Sequence, residues 1–122
     1  MNILFTCAGR RNYLIEYFKK ELKGKGKVVA ADMQMSAPAM AVADKACIVP
    51  EVYAPGYIEA LKNICIEEKI NAIFSLNDLE LPILSEAKET FDSIGVKMII
   101  SSPRVIDLSF DKAKTMEFVA SL

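Results

Sequence analysis

Ile3-Leu4-Phe5-Thr6-Cys7, closed by Ala8-Gly9 and followed at once by Arg10-Arg11, is the stretch on which the reading of this chain turns. The run is short and shows no apolar–polar alternation, so it reads as a strand buried on both faces. Gly9 permits a tight turn. Asn12 then caps a helix whose apolar stripe is Leu14, Tyr17, Phe18 and Leu22, and Gly24 and Gly26 stop it. Val28-Val29-Ala30-Ala31 is a second buried run ending at Asp32. Strand, helix and strand within about thirty residues call for a right-handed parallel crossover.

The same alternation continues outward. Residues 33–43 form a loop rich in Met and Ala, with one helical turn after Pro38, and Cys47-Ile48-Val49 is a brief third strand stopped by Pro50. Pro55 occupies an expected first helical position, and Ile58, Leu61, Ile64 and Cys65 supply the stripe of the next helix. Asn71 to Ser75 is the fourth strand. Asn77 or Asp78 caps a third helix with Leu84, Ala87, Phe91 and Ile94 on its apolar side and Pro82 in its first turn. Gly95 ends that helix and Val96 to Ile100 is the fifth strand. Ser102-Pro103 reads as a short helical turn, and Asp111 caps a last helix carrying Ala113, Met116, Phe118 and Val119. The expected fold is three-layer α/β/α, a Rossmann-like five-stranded parallel sheet in the order 3-2-1-4-5, the order being that of doubly wound folds.

Composition narrows the function classes. The chain has 122 residues, a one-domain length, and 52% of them are hydrophobic, enough for a real core. Fifteen basic residues against sixteen acidic ones leave a net charge of −1, which argues against a nucleic-acid partner. Lys19, Lys20, Lys23, Lys25 and Lys27 cluster at a helix end, where the helix dipole favours solvated cations. Three cysteines without CxxC spacing, and no histidine, argue against a disulfide framework or a zinc site. Cys47 and Cys65 read as buried small hydrophobes, while Cys7 precedes the expected ligand loop. No signal peptide or membrane-length apolar stretch is present, so a cytoplasmic protein with no membrane partner is expected.

Open parallel sheets bind ligands beyond the carboxyl ends of their strands. The residues expected there are Gly9, Arg10 and Arg11 after strand one, Asp32 after strand two, and Asn77, Asp78 and Glu80 after strand four. Such a rim suits a small polar substrate carrying both an anionic and a cationic group. An arginine fork is a good anion ligand, and either Arg10 or Arg11 is equally an ordinary surface residue. Asp32 ends strand two, where dinucleotide folds hold ribose, but only one glycine follows strand one and the G-x-G-x-x-G pattern is missing. Asp78 is as readily a helix cap as a ligand.

Taken in order, Gly9-Arg10-Arg11, Asp32, Ala43-Asp44-Lys45, Asn77-Asp78-Leu79-Glu80, Ser102-Pro103 and Asp111-Lys112 with Phe118 beyond resemble the N-terminal, pre-ATP-grasp domain of ATP-grasp ligases. The nearest likeness is to proteins similar to the large subunit of carbamoyl-phosphate synthase. The motifs are short; their order along the whole chain carries the resemblance. It implies a pre-ATP-grasp domain over residues 1–101 and the start of a truncated ATP-grasp domain over 102–122. It also implies that Lys112 reaches nucleotide phosphates, though a lysine in a first helical turn is otherwise a solvent-facing residue. The full-length parent would use ATP and magnesium to activate a carboxylate as an acyl phosphate for attack by an amine. Its partners would be a small carboxylate or amine substrate and the rest of its own chain; the sequence is also compatible with a homo-oligomer. The fragment alone would be inactive and would bind no cofactor tightly, with no catalytic or metal-ligating residue of its own. The rivals are a Rossmann-type module for a nucleotide or nucleotide sugar, and a non-catalytic interaction domain.

Overall fold

Five short strands lie in one parallel sheet of a computed structural model that describes residues 1–7, 9, 12–22, 24–75 and 80–100. In chain order the elements are β1 (Ile3–Thr6), α1 (Asn12–Leu22), β2 (Val28–Asp32), α2 (Pro38–Val42), β3 (Lys45–Ile48), α3 (Tyr57–Glu67), β4 (Ala72–Ser75), α4 (Leu81–Glu86), α5 (Lys88–Asp92) and β5 (Lys97–Ile100). The order across the sheet is β3-β2-β1-β4-β5, as expected, and every pairing is parallel.

Strand residues alternate between two cores. Ile3 and Phe5 of β1, Val28 and Ala30 of β2 and Phe74 of β4 pack with Leu14, Ile15 and Phe18 of α1 and with Ala39 and Met40 of α2. Leu4, Val29, Ala31 and Ile73 point the other way, against Tyr57, Leu61, Ile64 and Cys65 of α3, Leu84 of α4 and Phe91 of α5. Helices on both faces explain why β1, β2 and β4 are buried on both sides, while the edge strand β3 keeps Lys45 and Ile48 exposed. Gly26 is required for a second reason besides ending α1: a Cβ there would fall 1.5 Å from the Met1 carbonyl oxygen.

Three local expectations need correction. The helix expected to open at Pro55 starts at Tyr57, after a turn over Ala54 to Gly56 in which the Tyr57 amide donates to the Ala54 carbonyl at 3.1 Å. The single helix expected after β4 is two, because Ala87 (φ −90°, ψ 1°) leaves helical geometry and its amide also donates to Leu84 at 3.1 Å, tightening the turn. Leu84, Ala87 and Phe91 nevertheless stay on one buried side, as their spacing requires. Cys65 is buried, but Cys47, on the outermost strand, is only half-buried. The boundary expected at residues 101–102, the helix capped by Asp111, and Lys112 lie outside the described residues. Among the described residues no helix is long and apolar enough to cross a membrane.

The amino edge of the sheet is closed by an ionic and polar clasp. Glu68 accepts from Lys27 at 2.7 Å and from Lys45 at 2.9 Å, and Asn2 donates to the carbonyls of Glu68 and Lys69 at 3.0 and 3.1 Å. The two ammonium groups, Lys27 first, hold the Glu68 carboxyl below its ordinary value of 4.5. A carboxylate with a lowered folded pKa contributes stability above its unfolded pKa and loses it as pH falls through the folded one. Thermal melts are therefore expected to show an acid limb below pH 4.5 that is shallower in Glu68→Gln; an identical limb in the variant would remove Glu68 as its source.

Candidate functional site

Gly9 adopts φ +50°, which glycine tolerates. Its amide donates to Asp32 Oδ2 at 2.8 Å, and its carbonyl accepts from the Ala39 amide at 3.0 Å. Asp32 Oδ1 takes the Gln34 amide at 3.2 Å. One carboxylate at the end of β2 thus braces two successive crossover loops, and Gly9 is tied to the start of α2.

Beside this brace lies a cavity of about 440 Å³, lined by Cys7, Gly9, Asp32 and Met33 from the ends of β1 and β2, by residues 49–53 after β3, and by Tyr57 at the head of α3. It opens at the carboxyl edge of the sheet, where an open parallel sheet places its ligand. Val49, Pro50 and Val52 give it apolar walls, Asp32 and Glu51 contribute carboxylates, and Tyr53 stands 65% exposed at its mouth.

Glu80 is placed differently from the rim position expected of it. The residue is fully buried. Its Oε1 accepts from the hydroxyls of Thr6 and, at 2.6 Å, Ser75, and its Oε2 accepts from Tyr57 at 2.5 Å. Though it precedes α4, its side chain makes no capping bond to that helix, being turned into the sheet instead. Three hydroxyls from β1, β4 and α3 satisfy the carboxylate, and among the described residues no buried side-chain nitrogen or oxygen lacks a partner.

Tyr57 links this cluster to the cavity. Its single proton goes to Glu80, so in the 3.6 Å contact with Cys7 the thiol is left as donor. Burial first, and the Glu80 charge second, push the Tyr57 hydroxyl above its ordinary value. The same two causes push the Cys7 thiol up to about 12. Cys7 is therefore a thiol at neutral pH and no ready nucleophile. It also adopts φ +50°, a conformation unusual outside glycine.

Gly9, Asp32 and Cys7 thus share one cavity wall, and Glu80 lies beneath it. Arg10, Arg11, Asn77 and Asp78 lie outside the described residues. Among the described residues no group of three histidine, cysteine, aspartate or glutamate side chains is placed to hold a metal ion. Sequence reasoning passed over Tyr57, although its spacing to Leu61 and Ile64 marks it as part of the buried face of α3. What the arrangement offers chemically is a shaped, partly apolar binding space with fixed loops.

Comparison with known proteins agrees with this picture. The model of the family described as PylC-like, N-terminal domain, matches residues 3–99. No curated protein matches the chain. Among solved structures, glycinamide-RNase-transformylase T from Mycobacterium tuberculosis superposes with a TM-score of 0.63 at 14% identity, over 98% of this chain and 34% of its own. The biotin carboxylase subunit of pyruvate carboxylase gives 0.60 at 23% identity, over 95% and 26%. The biotin carboxylase domain of a single-chain bacterial carboxylase gives 0.59 at 19%, over 98% and 28%. The chain thus spans about a third or less of each of these solved structures, and shares their fold over that part.

Proposed function

The chain belongs to the PylC-like N-terminal domain family, and from that premise we propose that it is the substrate-side domain of an ATP-dependent, ATP-grasp ligase. In this reading the whole protein activates a carboxylate as an acyl phosphate, which an amine then attacks. The observation that carries it is the family match over residues 3–99. The braced loop of Gly9 at the cavity supports it, because a substrate domain acts by positioning, and positioning needs loops held to within a fraction of an ångström. Arg10 or Arg11, which follow the braced glycine directly in the chain, are the proposed anion clamp, and Asn77 and Asp78 are proposed as further substrate contacts. Lys112 is the proposed phosphate contact. In this reading ATP and magnesium are held by the rest of the whole protein. A closer likeness to the large subunit of carbamoyl-phosphate synthase, and a cytoplasmic setting, go with the same proposal. The nucleotide-binding rival needs Asp32 for ribose, in competition with the two backbone amides that it already accepts.

The test is a trapping assay. The whole protein with ATP, magnesium and a panel of small carboxylates is expected to release ADP and phosphate, and hydroxylamine should intercept the acyl phosphate as a hydroxamate. The 122-residue chain is expected to give neither, and calorimetry on it should show no ATP binding as tight as micromolar, about −8 kcal/mol. Hydroxamate absent with every carboxylate, or micromolar ATP affinity in the short chain, would overturn the reading.

A further inference from the structure

The buried cluster under the cavity serves no ligand directly, yet it joins the cavity wall to both central strands. Tyr57 is the first residue of α3 and closes the loop whose residues 49–53 form one side of the cavity. Its hydroxyl reaches inward to Glu80 and sideways to Cys7, the first cavity residue after β1. Glu80 in turn grips Thr6 and Ser75, the register-paired last residues of β1 and β4. We propose that Glu80 is a positioning residue for the cavity: by holding Tyr57 against the ends of β1 and β4, it sets Tyr57 and Cys7 as the cavity's inner wall. The alternative is a general fold staple, whose loss loosens the whole domain alike. The bearing on substrate use rests on the ligand-site reading above; the experiment below needs no ATP chemistry, so the two fail separately.

The three cysteines report on three places. Cys7 is at the cavity, Cys47 on the edge strand and Cys65 in the core, and they fall on separate tryptic peptides, 1–10, 46–62 and 63–69. Labelling with N-ethylmaleimide followed by peptide mass spectrometry therefore resolves local release from unfolding. Tyr57→Phe and Glu80→Gln both alter how readily Cys7 ionises as well as the wall, so N-ethylmaleimide is compared with the more compact methyl methanethiosulfonate. The Cys7 thiol donates to Tyr57, and removing that acceptor from an unmoved wall changes only the ionisation of the thiol, which scales both labelling rates alike. Release of the wall opens space around Cys7 and favours the larger reagent. We expect the Cys7 rate in Tyr57→Phe to rise roughly tenfold more for N-ethylmaleimide than for methyl methanethiosulfonate, and at least as much in Glu80→Gln, with Cys65 still protected. Equal changes for the two reagents, or no change, in Tyr57→Phe would overturn the proposal. Cys65 rising in step with Cys7 would overturn it too, by making the cluster a general staple. Should Glu80→Gln fail to fold, Tyr57→Phe decides alone.

Discussion

Phe5→Ala is expected to cost about 3–5 kcal/mol, a large fraction of the roughly 5–15 kcal/mol that holds such a domain folded. Phe5 is fully buried at the middle of the central strand. Its ring stacks on Phe74 of the neighbouring strand at 5.3 Å and meets Phe18 of α1 edge-on at 5.4 Å, while Phe18 and Phe74 lie 5.2 Å apart. Removing one ring leaves a cavity between two others that are fixed by sheet register and by a helix, so the site collapses poorly. Aromatic geometry adds to the loss beyond buried area. Thermal melts should show Tm falling by at least about 12 °C. Ile66→Ala, at a position 55% exposed, is the control and should move Tm little. A drop for Phe5→Ala no larger than that of the control would mean that the three rings do not form the joint between sheet and α1.

That joint was legible in the sequence because buried parallel strands and amphipathic helices leave different apolar spacings. Val28 to Ala31 and Asn71 to Ser75 could be placed from their apolar runs, each within one residue of the observed strand, and Pro38 marked a helical turn inside a loop. The break at Ala87 was not legible, since alanine is a strong helix former and the apolar spacing runs through it undisturbed. The site was legible to the extent that position along a strand decides it. Asp32 at the end of β2 and Gly9 after β1 do meet at the carboxyl edge. What each side chain does there was not, because it depends on partners distant in sequence. Glu80 looked like a rim acid from its place after β4. Three hydroxyls, one of them 74 residues away at Thr6, make burial affordable for it. The clasp of Glu68 with Lys27 and Lys45 is hidden for the same reason.

Asp32→Asn is expected to weaken both the domain and substrate use, in a pattern that geometry dictates. Both carboxylate oxygens of Asp32 accept backbone amides, Gly9 on one and Gln34 on the other. An asparagine has a single side-chain acceptor oxygen, so one amide must then face an NH₂ group, donor against donor. The lost charge-assisted bond is worth about 1.5–3 kcal/mol. Asp32 is half-exposed, so water replaces part of it, and the stability loss should sit at the low end of that range. The larger effect falls on function. Gly9 immediately precedes Arg10-Arg11 in the chain, so the proposed clamp there is expected to lose alignment with its ligand when the Gly9 brace is freed. In the whole protein, kcat/KM for the carboxylate is expected to fall at least about tenfold, beyond what the stability loss at the assay temperature explains. Asp32→Glu separates charge from reach: it keeps two acceptors but adds a methylene, so it should retain stability better than Asp32→Asn while still misplacing the loop. Kinetics unchanged in both variants, with the Gly9 amide exchanging no faster with solvent, would show that Asp32 braces nothing the reaction uses.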